Sequence, residues 1–195
     1  MLDPRATNED LTAKARIRNA ALDLYAQHGE DRTSLRAVAA EAGVTLGLVQ
    51  HHFTTKARLR DAVDQLVVDY FHAALRGVPE SSDPVAHAEA RDAAVRGMLA
   101  DNPPVMNYVR RALLDPSGVR EHLLEVLVRF TRDEVAALRD ANLVSTTRRE
   151  STQVVAVLVR QMGELFLQPM LDAVWKSAAE DTDAHRPRLR ITVED

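Results

Sequence analysis

The stretch Thr33–Lys56, TSLRAVAAEAGVTLGLVQHHFTTK, decides how the rest of the chain is read. Thr33 offers a hydroxyl to cap a first helix, whose Leu35, Val38, Ala39 and Ala42 recur at i, i+3, i+4 and i+7. Gly43 falls one place beyond that helix, where a left-handed residue ends a helix without a Cβ penalty. Thr45 then caps a second helix running from Leu46 to Phe53. The alanines at 37, 39, 40 and 42 keep the first helix slim, so the second can cross it closely. A pair with so short a turn has the geometry that places a second helix in a major groove. Spacing alone fits an ordinary helical hairpin equally well.

Working outward, the sequence is expected to be all-α. A polar arm over residues 1–9 precedes a helix from about Asp10 to His28, with Ile17, Ala20, Ala21, Leu24, Tyr25 and His28 inward and Gly29 as its stop. Thr55 caps a helix of about 22 residues, roughly 33 Å, which keeps its 3.6-residue period to Gly77 and is predicted to connect two domains. GVPESSDP, from Gly77 to Pro84, reads as a linker. Helices follow over about 85–100, 104–114, 117–141 and 145–168, and Pro169 is expected to open a last one before the tail turns polar at Asp181. The predicted division is 1–55 for a helix-turn-helix domain and 56–195 for a second helical domain, with the connector at 55–77.

Composition limits the function classes. The 195 residues carry a net charge of −4, yet residues 1–60 hold nine Lys/Arg against seven Asp/Glu, so the positive excess falls on the helix pair. No cysteine is present, which excludes disulfides and thiolate metal sites and suits a reducing cytoplasm, the expected location. No apolar run approaches the ~20 residues of a membrane span, so no membrane partner is expected. The residues show no G-x-S-x-G, P-loop, G-x-G-x-x-G or H-E-x-x-H, so an enzyme is not expected. His51 and His52 are adjacent, about 100° apart on a helix, and cannot easily share one ion. No metal site and no cofactor is predicted.

Within the second helix, Val49 and Phe53, at i and i+4, are expected to anchor one face. Leu46, Gly47, Leu48, Gln50 and His51 then turn outward in varying degrees. Gly47 permits close approach to a duplex, Gln50 can pair with both hydrogen-bonding groups of adenine, and Leu46 and Leu48 can meet thymine methyls. Thr45, His51 and Lys56 suit phosphate oxygens, as does Thr33 at a helix N-terminus.

The organisation from Asp10 to about Gly77 resembles the TetR-like (TetR/AcrR) family of bacterial transcriptional regulators. The resemblance rests on Leu24-Tyr25-Ala26-Gln27-His28-Gly29, Thr33-Ser34-Leu35, the run Val38 to Thr45, Gly47, His52-Phe53 and Thr55-Lys56. It implies a homodimer on a palindromic DNA operator, most simply a repressor released by a small molecule, with the second domain, 56–195, serving ligand binding and dimerisation. It also implies DNA contacts from Thr45, Gly47, His51, His52 and Lys56. Two departures, Leu46 after the capping threonine and Gln50-His51 where an aromatic pair is expected, bear on which operator is read.

Towards the C-terminus, Val154, Val155, Leu158, Val159, Met162, Leu165 and Phe166 spread over ~140° of a helical wheel, wider than the ~100° that one buried face needs. Gly163 would let another helix approach. Val155, Val159, Leu171, Val174, Trp175 and Ala178 are therefore predicted as dimer-interface residues, from two helices per chain. A small apolar or amphipathic ligand is expected against Met98, Met106, Tyr108, Arg110, Leu127, Phe130, Met162 and Phe166, with Arg110 or Arg111 neutralising an acidic group. The competing reading is an all-α protein that binds or sequesters small molecules with little DNA binding.

Overall fold

A computed structural model describes residues 4–5, 12–115, 121–179, 189 and 191–193. Its regular elements are all helical: α1 (Ala13–His28), α2 (Leu35–Glu41), α3 (Leu46–His52), α4 (Lys56–Arg76), α5 (Pro84–Asp101), α6 (Pro103–Leu113), α7 (Glu121–Asp140) and α8 (Glu150–Ala178). The chain forms two compact units. The first comprises residues 1–81 and 85–127, and the second residues 82–84 and 128–195.

In the first unit, α1 is the helix on which α2, α3, α4 and α6 pack. Thr12 caps it, accepting from the Ala15 amide at 3.3 Å, and Gly29 ends it at φ +83°. Its buried face is Ile17, Asn19, Ala20, Ala21, Leu22, Tyr25 and Ala26, so Leu22 and Ala26 replace the expected Leu24 and His28. Helices pack on α1 from more than one side, which rotates and widens its core stripe. The expected start at Asp10 lies outside the described residues. From the N-terminal arm, Arg5 grips Asp23 with two hydrogen bonds of 2.7 and 3.2 Å.

α4 matches the expected connector in length and caps: Thr55 accepts from the Arg58 amide at 3.1 Å, and Gly77 follows its last residue. It buries Leu59, Val63, Leu66, Val67, Val68, Tyr70, Phe71 and Ala74, and lies wholly within the first unit. α6 belongs to that unit too. Tyr108 stacks on Tyr25 of α1 at 6.3 Å between ring centroids. Arg111 donates to the Ala26 and Gln27 carbonyls at 2.9 Å each. A cation on the last carbonyls of a helix satisfies acceptors that have no partner within it and complements its dipole. Arg111 thus serves as a C-terminal clamp on α1.

The second unit differs from expectation at Pro169, which lies inside α8 rather than at the start of a new helix. A proline withholds one N–H from the ladder, but the 29-residue helix continues on both sides of it. Gly163 faces the C-terminal tail: a Cβ there would stand 2.0 Å from Ile191 Cδ1. Arg148 also donates to the Val193 carbonyl. Over the described residues only Val154 of α8 is buried.

The turn between α2 and α3 depends on backbone geometry. Gly43 has φ +64°, and the Ala42, Gly43 and Val44 amides donate back to Val38, Ala40 and Ala39. An L side chain in this left-handed conformation costs roughly 1–2 kcal/mol. Gly43→Ala is therefore expected to lower stability by about that amount in urea unfolding; an unchanged midpoint would contradict this account of the turn.

Candidate nucleic-acid interface

The helix pair is built as a small lever. Ser34, one residue after the expected Thr33, caps α2 by accepting from the Ala37 amide at 3.1 Å. Thr33 is only 3% exposed, and its hydroxyl donates to the Gly29 carbonyl at 2.8 Å. It ties the end of α1 to the start of α2, so its hydroxyl is committed inside the protein. Two hydroxyl residues in succession made the cap ambiguous by one position, and burial of the first decides it.

α3 is capped by Thr45, whose hydroxyl accepts from the Leu48 amide at 3.2 Å. Val49 and Phe53 are buried and hold the helix from below. Lys14 of α1 places its ammonium 5.9 Å from the centre of the Phe53 ring, adding a cation–π contact at the end of α3. Thr45, Gly47, Gln50 and His51 are exposed, and Leu46, Leu48, His52 and Lys56 are half-buried. The imidazoles of His51 and His52 lie edge to face, 5.4 Å apart. Eight of the nine residues singled out for DNA contact therefore lie on or beside one short helix with accessible surface, and Thr33 does not. Arg36 and Arg58, in the first turns of α2 and α4, are also exposed. Their signal in the sequence was the local positive excess.

The residues expected to meet a ligand fall on both units. Met98, Tyr108 and Leu127 are buried in the first, with Met106 and Arg110 half-buried there. Phe130 is buried in the second, with Met162 and Phe166 half-buried. Of the dimer-interface residues, Val155, Val159, Val174 and Ala178 are exposed, and Leu171 and Trp175 are half-buried. Leu167 and Met170 of the same helix are exposed as well, Met170 at 59%.

A polar cluster that the sequence did not suggest lies on α4. Asp64 is 0% exposed. Its Oδ1 accepts from the Tyr108 hydroxyl at 2.5 Å, and its Oδ2 lies 2.7 Å from His122 Nδ1. Asp61, one turn earlier, stands 3.8 Å from the same nitrogen and accepts from Arg60 at 3.2 Å. Burial works against the Arg60 charge. Its hydrogen bond to Asp61 and the charges of Glu30, Asp61 and Asp64 outweigh that effect and raise the guanidinium pKa. The cluster joins residues 61, 64, 108 and 122, a separation no local pattern reveals.

The fold defines an all-α helix-turn-helix protein. Residues 17–63 match the family model of "Bacterial regulatory proteins, tetR family". The HTH-type transcriptional regulatory protein RaaS of Mycobacterium tuberculosis (strain ATCC 25618 / H37Rv) is 36% identical over 119 residues, which cover 61% of this chain and 53% of RaaS. The chain thus matches about half the length of that relative. A crystal structure from Shewanella sp. PV-4, described as a tetR family transcription regulator, superposes with a TM-score of 0.67 at 22% identity, covering 86% of this chain and 91% of the other. The multidrug binding protein EbrR, complexed with imidazole, gives 0.60 at 26% identity over 87% and 84%. The match is thus to the helix-turn-helix part of the chain, residues 17–63, which is similar to that of the tetR family of bacterial regulatory proteins.

Tyr108→Phe removes one donor from the buried Asp64 carboxylate. It is expected to cost about 1–3 kcal/mol in urea unfolding. A loss below about 0.5 kcal/mol, the range of surface changes, would show that the hydroxyl does not hold the cluster.

Proposed function

We propose that the protein is a ligand-responsive transcriptional repressor that binds a palindromic DNA operator as a homodimer and is released by a small molecule. The observation that carries this reading is the division of α3 into an anchored face, Val49 and Phe53, and an accessible face that includes Gly47, Gln50 and His51. Gln50 reads a base edge, with Leu46 and Leu48 beside it against apolar methyl groups. Thr45, His51, His52 and Lys56 hold phosphate oxygens and fix the helix in register without reading sequence. Thr33 contributes from within, by fixing α2. Residues 1–55 form the DNA-binding part, and residues from Lys56 onward serve ligand binding and dimerisation. The protein acts where the DNA is, in the bacterial cytoplasm.

The homodimer is proposed on α8, whose Val155, Val159, Leu167, Met170 and Val174 are exposed apolar side chains. By length and composition this helix would also serve as a membrane span. Arg160 and Glu164 lie in its middle, and an ionised side chain at a bilayer centre costs about 2.5–3.5 kcal/mol or more. A second copy of α8 covers the apolar residues and leaves those charges at the rim. Leu171, Trp175 and Ala178 extend the same interface.

For the effector we propose a small apolar or amphipathic molecule, a partner suited to flexible thioethers such as those of Met98 and Met106 in the first unit. The description of EbrR as a multidrug binding protein supports this class. Met98, Tyr108 and Leu127 are buried, so entry of a ligand requires repacking around α6. That helix holds α1 through Tyr108 and Arg111, which gives repacking a route to the DNA-binding helices. A ligand that favours the released form about 100-fold shifts the equilibrium by ~2.7 kcal/mol.

The reading is tested by binding to the DNA upstream of the gene across a salt series. Gln50→Ala is expected to lose ~1–3 kcal/mol of discrimination at one base pair per half-site. Lys56→Ala is expected to weaken all sequences alike and to lower the salt dependence by about one ion per recognition helix. Absence of binding at low salt would favour a protein that sequesters small molecules.

A further inference from the structure

The cluster on α4 gathers two carboxylates and one imidazole. Asp61 and Asp64 are i and i+3 on one helix, so their carboxylates share a face. Both turn towards a single ring nitrogen, His122 Nδ1, at 3.8 and 2.7 Å. One N–H satisfies one of them, and Asp64 already has the short contact. Two carboxylates held around one ring nitrogen repel each other, and Arg60, hydrogen-bonded to Asp61 at 3.2 Å, offsets part of that repulsion. A dication at the centre would satisfy all three side chains.

We propose that Asp61, Asp64 and His122 form a binding site for a divalent first-row transition-metal ion, of the zinc or manganese class. Three observations support it. One ligand atom from each side chain lies within 4.8 Å of the others. Metal–ligand bonds of ~2.0–2.2 Å bring donors to within roughly 3–3.5 Å of each other, a closure of about one rotamer adjustment at Asp61. Tyr108 donates to Asp64 Oδ1 and leaves Oδ2 towards His122, so the ligating carboxylate is oriented by an outer hydrogen bond of the kind that tunes metal sites. His122 is 34% exposed while Asp64 is closed to solvent, which gives the ion a path in from one side and a dry floor on the other.

The donor set, one imidazole nitrogen and two carboxylate oxygens, selects the class. It suits Zn2+ and Mn2+, whereas Mg2+ favours all-oxygen surroundings and keeps most of its water. Binding replaces the proton between His122 Nδ1 and Asp64 with the ion, and ties the first turn of α7 to α4. The site is separate from the DNA-contacting residues and the inference stands whether or not those read DNA.

The test is calorimetric titration of the full, chelator-stripped chain with Zn2+ alone and Mn2+ alone, without DNA. One ion per chain is expected for the wild type. His122→Gln and Asp61→Asn are each expected to bind at least about tenfold more weakly, and Mg2+ in excess is expected not to compete. Zn2+ should raise the unfolding temperature of the wild type and leave that of both variants in place. Thermal unfolding without metal verifies that the variants are folded, and Asp61→Asn, on a half-buried side chain, keeps the test open if His122→Gln is not. A His51→Ala/His52→Ala variant is expected to bind as the wild type does. Absence of tight Zn2+ or Mn2+ binding, or equal binding by wild type and both cluster variants, would overturn the proposal.

Discussion

A carboxylate closed to water in the middle of α4 imposes the strongest constraint on the first unit. An ionised Asp64 is tolerable at that depth only if other groups replace its solvation. Tyr108 and His122 do so, and they come from α6 and α7, far along the chain. The same tyrosine stacks on Tyr25, and the next turn of α6 sends Arg111 to the carbonyl end of α1. One buried carboxylate thus ties α4, α6 and the start of α7 together beside the helix on which α2 and α3 pack. A binding event that disturbs any of these partners has a short physical route to α1.

The helix pair follows a different logic. α3 has seven residues, too few to be stable alone, and its position comes from its surroundings. Thr45 satisfies an amide at its start, Val49 and Phe53 fix it from below, and Gly43 sets the angle at which it leaves α2. Every restraint acts on the inner side or the ends. The outer side, with Gly47, Gln50 and His51, is exposed, which leaves those residues accessible to a partner.

This difference explains what the sequence revealed. The helices, their threonine caps at 45 and 55 and the glycine stops at 29 and 43 are local matters, decided within a turn or two, and were legible from spacing. So were the anchoring roles of Val49 and Phe53. The cap of α2 was misread by one residue, because only packing distinguishes Thr33 from Ser34. Pro169 suggested a helix start, since local rules cannot say when surrounding turns will carry a proline. Gly163 was read as room for another helix, and the space instead faces Ile191 from the tail. The Asp61, Asp64 and His122 cluster was invisible because its members are 58 residues apart at the Asp64–His122 contact and each, taken alone, resembles an ordinary surface group. The clamp by Arg111 was hidden in the same way: its charge invited an acidic ligand, and its partners are the carbonyls of a helix 84 and 85 residues away.

In the proposed mode of action, α3 reads a DNA sequence as part of a symmetric dimer. The most direct test of that mode is selection of bound duplexes from a random pool by the full-length protein, followed by sequencing. An inverted repeat is expected to be enriched, its half-site centres about one helical turn, ~34 Å, or a multiple of it apart. Recovery of no enriched sequence, or of a motif without two-fold symmetry, would contradict the proposed mode.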